Sequence, residues 1–287
     1  MPEPPVTATL LISCRDQRGL VASVSDFLFR NDGNIIHADQ HTDKEESVFL
    51  QRVEWELAGF RIERDGIAEA FRPLAEKYGM AWRLHFSDYV PRVALFASKL
   101  PHCLYDLLAR WRMGEFRAHI PLVISNHDDH RSIAKEFGVE FHDLPVTPET
   151  KSRQEAKAIE LLEAADIDVV VLARYMQVLS EGIVSRYPNG IINIHHSFLP
   201  AFAGARPYHN AHERGVKIIG ATAHYVTPEL DQGPIIDQDV ARVSHRDSVD
   251  DLIRKGRDLE KTVLARAVDL HLRNRILVYG NKTVVFD

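Results

Sequence analysis

The stretch Asp168-Val169-Val170-Val171-Leu172 places an uninterrupted apolar run directly after a carboxylate. Short apolar runs rich in β-branched residues are typical of strands that are buried on both faces. Such strands occur in parallel sheets that carry helices on either side. The stretch therefore predicts an α/β domain with a mostly parallel, Rossmann-like sheet.

The sequence on both sides of this stretch alternates between strand-like and helical patterns. The predicted elements are strands at residues 93–97, 118–125, 140–142, 169–173 and 191–195, helices at 103–113, 130–137 and 149–165, an extended pair at 217–226 and 234–240, and a helix at 249–272. Parallel strands need crossover connections, and the single helices between the strands supply them. We expect this domain to span residues 89–287.

The segment before residue 89 follows a different order. Its predicted elements are a strand at 6–14, a helix over the apolar positions from Leu20 to Leu28, strands at 35–42 and 47–57, a helix at 62–78 and a strand at 80–86. The order β-α-β-β-α-β is that of a ferredoxin-like α+β fold. Because a chain of 287 residues exceeds what one hydrophobic core usually serves, we expect two domains, at 1–88 and 89–287.

Composition narrows the class of partner. The formal charge of −6 has no long single-sign run, so it supplies no field for a nucleic acid or an anionic membrane surface. No apolar run approaches the roughly 18 residues that a membrane span needs. The two cysteines, Cys14 and Cys103, are too few for a disulfide framework and favour a reducing compartment. We therefore expect a cytoplasmic protein with a small-molecule partner.

The densest group of reactive side chains begins at the end of a predicted strand. Asn193 and His195 are two residues apart, so on a strand they project to the same face. Open α/β sheets bind ligands at the carboxyl ends of their strands, and Asp231 lies in a later turn. Each residue alone has a structural interpretation as a turn cap or a satisfied histidine. Together they predict a site of an amide, an imidazole and a carboxylate, with His196 on the opposite face.

Three blocks around these residues resemble the formyltransferase family, which handles 10-formyltetrahydrofolate: NIHHSFLP at 193–200, GATAHYV at 220–226 and LDQGPII at 230–236. The resemblance covers most of residues 90–287 and implies that Asn193, His195 and Asp231 stand at catalytic positions. It also implies a set of folate-binding residues, namely Arg174, Tyr175, Met176, Gln177, Val178, Leu179, His224, Val226, Thr227 and Glu229.

The segment DQRGLV at 16–21 resembles the turn at which ACT domains receive an amino-acid effector, which implies effector-binding positions at Asp16, Gly19 and Leu20. An ordinary tight turn before a helix explains the same residues. An ACT-like unit fused to a formyltransferase-like unit is similar to the formyltetrahydrofolate deformylase family. That similarity implies a hydrolase that uses no metal or other cofactor. A small sheet leaves exposed edges, so we expect a homo-oligomer, a dimer or a tetramer.

The acceptor of the formyl group depends on a second site. Transfer to a phosphorylated amine such as glycinamide ribonucleotide needs a phosphate cradle of free backbone N–H groups, commonly in a glycine-rich turn after the first strand. Here that position has the sequence FASKLPHC at 96–103, without glycine and with a proline that lacks a donor. By the family resemblance, deformylases also carry histidine at position 196, where transformylases carry proline. Both features favour water as the acceptor.

The implied mechanism gives each member of the trio a role. The Asn193 amide donates to the developing oxyanion, His195 transfers protons near neutral pH, and Asp231 either orients His195 or positions the water. Transfer to an amine remains an alternative reaction of the same trio.

Two other classes of function remain open. A metal-dependent amidohydrolase is suggested by the histidines and aspartates that lie close in sequence, although their spacing matches no zincin pattern. These residues are His195, His196, His209, His212, His224, Asp231 and Asp237. A non-catalytic amino-acid sensor is the other class, and it has no need of the trio.

Overall fold

The computed structural model describes residues 5–200 and 207–286, and the chain divides into two compact units. The first unit contains the described residues up to Val90 and the segment from Arg273 onward, and the second unit is Pro91–Leu272. The first elements of the first unit are β1 (Thr7–Arg15), α1 (Leu20–Arg30), β2 (Asn34–Asp43), β3 (Val48–Glu56), α2 (Ile67–Tyr78) and β4 (Ala81–Phe86).

The first unit has the predicted ferredoxin-like order. Within the part that the structure describes, its sheet has four strands in the order β2-β3-β1-β4, and every pairing is antiparallel. In α1 the apolar residues Leu20, Val24 and Leu28 recur every four positions and are buried. They pack with Trp55 and Phe71 in the core between sheet and helices.

The second unit alternates strands and helices, as predicted. Its elements are β5 (Arg92–Ala97), α3 (His102–Arg112), β6 (His119–Ser125), α4 (Arg131–Phe137), β7 (Glu140–Asp143), α5 (Lys151–Ala164), β8 (Val169–Ala173), α6 (Glu181–Val184), β9 (Ile191–His195), α7 (Pro207–Arg214), β10 (Ile218–Tyr225), β11 (Ile235–Arg242) and α8 (Val249–Leu272). None of the described helices has the length and apolar character that a membrane crossing requires.

The sheet of the second unit places a crevice beside β8. Its described strands lie in the order β11-β10-β9-β8-β5-β6-β7. The strands β5 to β9 are parallel to one another, and β10 is antiparallel to both of its neighbours, β9 and β11. Val170 and Val171 of β8 have no exposed surface, as expected for a strand covered on both faces. The strand order reverses between β5 and β8, and open α/β sheets bind ligands at the carboxyl ends of strands at such a point.

The C-terminal segment belongs to the first unit. Strands β12 (Ile276–Tyr279) and β13 (Lys282–Val285) form an antiparallel hairpin. Leu277 and Phe286 pack against Leu11 and Leu50 on the face of the four-stranded sheet. The division at Val90 and at Leu272 therefore differs from the predicted domains 1–88 and 89–287, because the apolar face of this hairpin is buried on the first sheet.

Candidate active site

Strand register brings the predicted amide and imidazole to one face. In the antiparallel pair of β9 and β10, Asn193 lies opposite His224, and His195 lies opposite Thr222. Residues directly opposite each other share a face of the sheet, and residues two apart on one strand do so as well. The sequence-based prediction that Asn193 and His195 project together is therefore confirmed.

Asp231 reaches this face from the turn between β10 and β11. Its Oδ2 lies 3.2 Å from His195 Nδ1, and its Oδ1 lies 3.7 Å from His224 Nε2. Its backbone has a φ of 56°, in the left-handed region that few non-glycine residues adopt. The hydrogen bond with His195 holds the pKa of Asp231 well below its usual range. The carboxylate is therefore charged at neutral pH.

A glycine sets the shape of this turn. A Cβ added at Gly233 would lie 1.7 Å from the carbonyl oxygen of Tyr225, and a backbone atom cannot move aside as a side chain can. The Tyr225 N–H also donates to the Pro234 carbonyl at 2.9 Å, so the two strands are fixed here. The turn that carries Asp231 therefore depends on a missing side chain.

We expect Gly233→Ala to lower the free energy of unfolding by about 3 kcal/mol, because the backbone of the turn must open to admit the methyl group. Chemical denaturation measures this change. Gly182→Ala is the matched control, since the nearest atom to its added Cβ is Ser180 Oγ at 3.5 Å, an ordinary contact. A Gly233→Ala protein as stable as the control would contradict the prediction.

His195 has one nitrogen bound and one available. Its Nδ1 faces the ionised Asp231, which can only accept, so Nδ1 carries a proton and Nε2 of the neutral ring has the lone pair. The residue is 8% exposed, and Nε2 is buried without a hydrogen-bond partner among the described residues. A buried nitrogen of this kind is suited to exchange a proton with a bound ligand or water.

The orientation of the Asn193 amide follows from its neighbour. His224 Nδ1 lies 2.9 Å from the Tyr225 carbonyl, which can only accept, so Nδ1 is the donor. In the neutral ring Nε2 then accepts, and Asn193 Nδ2 lies 3.2 Å from it. An amide nitrogen has two hydrogens, so a second N–H remains for a ligand in the cleft that Asn193 lines.

A cleft of about 260 Å³ opens beside the trio. Its lining includes Asn193, His195, Asp231 and most of the predicted folate-binding residues, namely Arg174, Tyr175, Met176, Gln177, Val178, Leu179, His224, Val226 and Thr227. Glu229 is not among the lining residues, and it is exposed. Further lining residues that the sequence analysis did not assign are Leu172, Ile194, His196, Pro228 and Leu230.

His196 lies beside His195 rather than on the opposite face. The two imidazole rings are stacked, with centroids 5.0 Å apart and an interplanar angle of 14°. The expectation of opposite faces was wrong because β9 ends at His195, so strand alternation does not extend to His196. The Nη1 atom of Arg174 lies 2.7 Å from His196 Nδ1.

One group of side chains in the described part of the chain brings metal-ligand atoms together, and it is not the histidine cluster that the metal hypothesis used. His102, Cys103 and Glu260 have ligand atoms within 4.8 Å of one another. Burial, and then the charge of Glu260, raises the pKa of the Cys103 thiol, so the sulfur stays protonated. His209 and His212 are exposed on α7 and do not line the cleft.

The loop after β5 is held by hydrogen bonds within the unit. Ser98 Oγ donates to Asn126 Oδ1 at 2.6 Å and accepts from the Met176 N–H at 2.9 Å. Pro101 occupies the cap position of α3 and contributes no N–H. These contacts connect the loop to the segment that follows β8.

The turn between β1 and α1 has the predicted form. Gly19 precedes α1 with a φ of 88°, which suits glycine. Asp16 is exposed, whereas Leu20 is 2% exposed and belongs to the core. Effector binding by Asp16, Gly19 and Leu20 stays a prediction.

Comparison of the sequence with known families gives two matches. Residues 91–268 match the family described as formyl transferase, and residues 8–76 match the ACT domain. A protein from Synechocystis sp. named formyltetrahydrofolate deformylase is 63% identical over 98% of this chain and 99% of its own length. A protein of the same name from Bacillus subtilis is 50% identical over 97% of this chain and 93% of its own length.

Solved structures give a consistent comparison. A formyltetrahydrofolate deformylase from Pseudomonas syringae superposes with a TM-score of 0.97 at 49% identity, covering 100% of this chain and 96% of the other. A glycinamide ribonucleotide transformylase from Symbiobacterium toebii gives a TM-score of 0.65 at 32% identity, covering 71% of this chain and 98% of the other. The similarity to the transformylase is thus lower, and it covers a smaller part of this chain.

Proposed function

Because the chain belongs to the formyltetrahydrofolate deformylase family, we propose that it hydrolyses 10-formyltetrahydrofolate to formate and tetrahydrofolate. The geometry that carries this proposal is the buried Nε2 of His195, which has no hydrogen-bond partner among the described residues, while the other ring nitrogen faces the ionised Asp231. Asn193 lines the same cleft. The site therefore offers a proton acceptor beside an N–H donor, as the hydrolysis of a formamide requires.

In the first step water attacks the formyl carbon on N10. His195 Nε2 accepts a proton from the water while the new C–O bond forms. The carbonyl oxygen becomes an oxyanion, and the second N–H of Asn193 donates to it. Developing charge is stabilised most by a donor that is already oriented, and the contact with His224 orients this amide.

In the second step the bond between the formyl carbon and N10 breaks. The His195 imidazolium returns its proton to N10, which releases tetrahydrofolate, and formic acid ionises to formate. Asp231 stabilises the imidazolium between the two steps and keeps Nε2 directed to the cleft. Its lowered pKa makes it a weak base, so we assign it this orienting role rather than proton abstraction from water.

The folate binds in the cleft in this proposal. Residues 174–179, which follow β8, line the cleft together with Val226, Thr227 and Leu230. Met176, Val178 and Leu230 are more than half exposed, so they offer apolar surface for a flat aromatic ring. We assign the predicted folate contacts to these segments and keep Glu229 as a predicted folate contact.

Water is the acceptor in this proposal, rather than a phosphorylated amine. A phosphate cradle after β5 would need free backbone donors at the start of α3. In this chain Pro101 occupies the cap position, and the Ser98 hydroxyl already bonds Asn126 and the Met176 N–H. These features support hydrolysis over transfer.

Turnover without an amine acceptor tests the function. We expect the purified protein to release formate and tetrahydrofolate from 10-formyltetrahydrofolate, with the same rate in the presence of a chelator, because no proposed step uses a metal. His195→Ala should abolish release, whereas His245→Ala, at an exposed histidine, should not. Product that forms only after addition of glycinamide ribonucleotide would indicate a transformylase. Loss of formate release in the presence of the chelator would indicate a metalloenzyme, and no product under any condition would indicate a sensor.

The remaining expectations concern an amino-acid effector, the oligomeric state and the cellular compartment. We infer that an amino acid binds at Asp16, Gly19 and Leu20, since the ACT match covers this turn. Edge strand β2 supports pairing of two or four copies, because Ile35 and Ile36 are exposed on it. Cys14 and Cys103 are buried and free, which supports a reducing compartment, the cytoplasm, as the place of the reaction.

A further inference from the structure

A buried chain of polar contacts links α8 to the stacked histidines. Glu260 is 1% exposed, and its Oε2 lies 3.3 Å from Arg174 Nε, in an ion pair without hydrogen-bond alignment. Arg174 in turn contacts His196, which stacks on His195. Tyr208 donates to the other oxygen of Glu260 at 2.8 Å. Glu260 thus lies two contacts from a ring that is stacked on the reacting histidine.

These contacts determine the protonation state of His196. A guanidinium has donors and no acceptor, so His196 Nδ1 must accept from Arg174 and cannot carry a proton. Burial, and then the charges of Arg174 and His195, lowers the pKa of His196 to about 4. No second imidazolium therefore forms against His195 near neutral pH.

Arg174 itself needs a partner at this position. Its backbone has a φ of 63°, and its side chain is 10% exposed. A buried cation without a counter-charge is strongly destabilised, and Glu260 supplies that counter-charge. Burial opposes ionisation of Glu260, but the hydrogen bond with His102 and the charge of Arg174 outweigh it, and its pKa is lowered.

We propose that Glu260 is a positioning residue for the reaction: acting through Arg174, it holds His196 as an uncharged platform beside the imidazolium that His195 becomes when it takes a proton from water. The proposal rests on the proposed hydrolysis. Glu260 touches neither the cleft nor the trio, so its effect on the chemistry is electrostatic and orientational.

The charges around His195 give this proposal a direction. In the part of the chain that the structure describes, the groups that face the stacked pair from neighbouring elements are Arg174 after β8, Tyr208 on α7, His224 on β10, Asp231 in the turn and Glu260 on α8. Loss of the negative charge at Glu260 makes the His195 imidazolium less favourable, and loss of the positive charge at Arg174 makes it more favourable. If Glu260 and Arg174 had only a structural role, loss of their charges would not affect the His195 imidazolium in opposite directions.

The pH profile of kcat for formate release tests the proposal in the full chain. Glu260→Gln should move the acid limb to lower pH by about half a unit or more, and lower kcat about tenfold. Arg174→Gln keeps a donor for His196 and should move the limb to higher pH. The double variant removes both charges, so its limb should return toward the wild-type position and its kcat should exceed that of Glu260→Gln.

Asp247→Asn is the matched control, since it removes the carboxylate that pairs with Lys255 of α8 without contacting the cleft. It should leave the limb in place whatever its melting temperature. The proposal is supported if the acid limbs of Glu260→Gln and Arg174→Gln shift in opposite directions and the limb of the double variant returns toward the wild-type position. Any other pattern overturns it. If Glu260→Gln does not fold, absence of the upward shift in Arg174→Gln alone overturns it. Wild-type protein that releases no formate would instead contradict the proposed function.

Discussion

Asp231→Asn lowers kcat for formate release by about 10³- to 10⁴-fold at neutral pH, as expected when the carboxylate that orients a catalytic histidine becomes an amide. The carboxylate accepts the Nδ1 proton of His195 at 3.2 Å. An amide can present its N–H to Nδ1 instead, which places the proton on Nε2 and removes the base. Asparagine adopts a left-handed φ as readily as aspartate, so the turn at φ 56° is preserved.

Steady-state kinetics and a folate-binding titration check this result. Binding of tetrahydrofolate should change little, since the cleft keeps its shape. Asp237→Asn is the control, because this carboxylate lies on the adjoining β11 and pairs with Arg266, away from the trio. An Asp231→Asn protein that keeps a tenth or more of the wild-type kcat, while the control is unchanged, would remove Asp231 from the mechanism.

The same substitution also changes how stability depends on pH. The lowered pKa of Asp231 means that the folded chain keeps this carboxylate ionised at a pH where the unfolded chain protonates it. Its contribution is therefore present above the unfolded value of about 3.9 and is lost as pH falls through the folded value. Below about pH 4 the unfolding free energy of the wild type should fall more steeply than that of Asp231→Asn.

The sequence was most informative where a residue pattern depends on one element alone. The run at 168–172 predicted a strand buried on both faces, and the spacing of Asn193 and His195 predicted a shared face. Both follow from the two-residue period of a strand, which needs no knowledge of the rest of the chain. Asp231 was grouped with them because it lies in a later turn, and the family resemblance implied its catalytic position. Its approach to His195 depends on the turn between β10 and β11.

The features that the sequence did not predict depend on contacts between distant segments. Glu260 is a carboxylate in the middle of α8, where a charged residue normally faces water, and nothing local indicates that Arg174 and Tyr208 bury it. The C-terminal hairpin has strands of only four residues each, and its apolar face is buried on a sheet more than two hundred positions earlier. His196 was misplaced because the alternation of a strand was extended to the residue after β9, although the strand was predicted to end at His195 and does end there.

Asn193→Ala lowers kcat by about 10²- to 10³-fold, the usual cost of removing one oxyanion donor. The alanine protein keeps the strand, and His224 on β10 loses only one neighbour. Because the donor acts on charge that develops during the reaction, KM for 10-formyltetrahydrofolate should change less than about threefold. Initial rates over a range of substrate concentrations separate the two constants.

Asn193→Asp distinguishes the catalytic role from a structural one. If Asn193 only capped a turn at the strand end, aspartate would replace it with little effect, since both residues cap turns well. As an oxyanion donor, aspartate has no N–H to offer, and its charge would lie beside Asp231 and oppose the developing oxyanion. We therefore expect Asn193→Asp to be no more active than Asn193→Ala, with a melting temperature close to that of the wild type. Activity near the wild-type level in the Asn193→Asp protein would show that Asn193 only caps a turn and does not donate to the oxyanion.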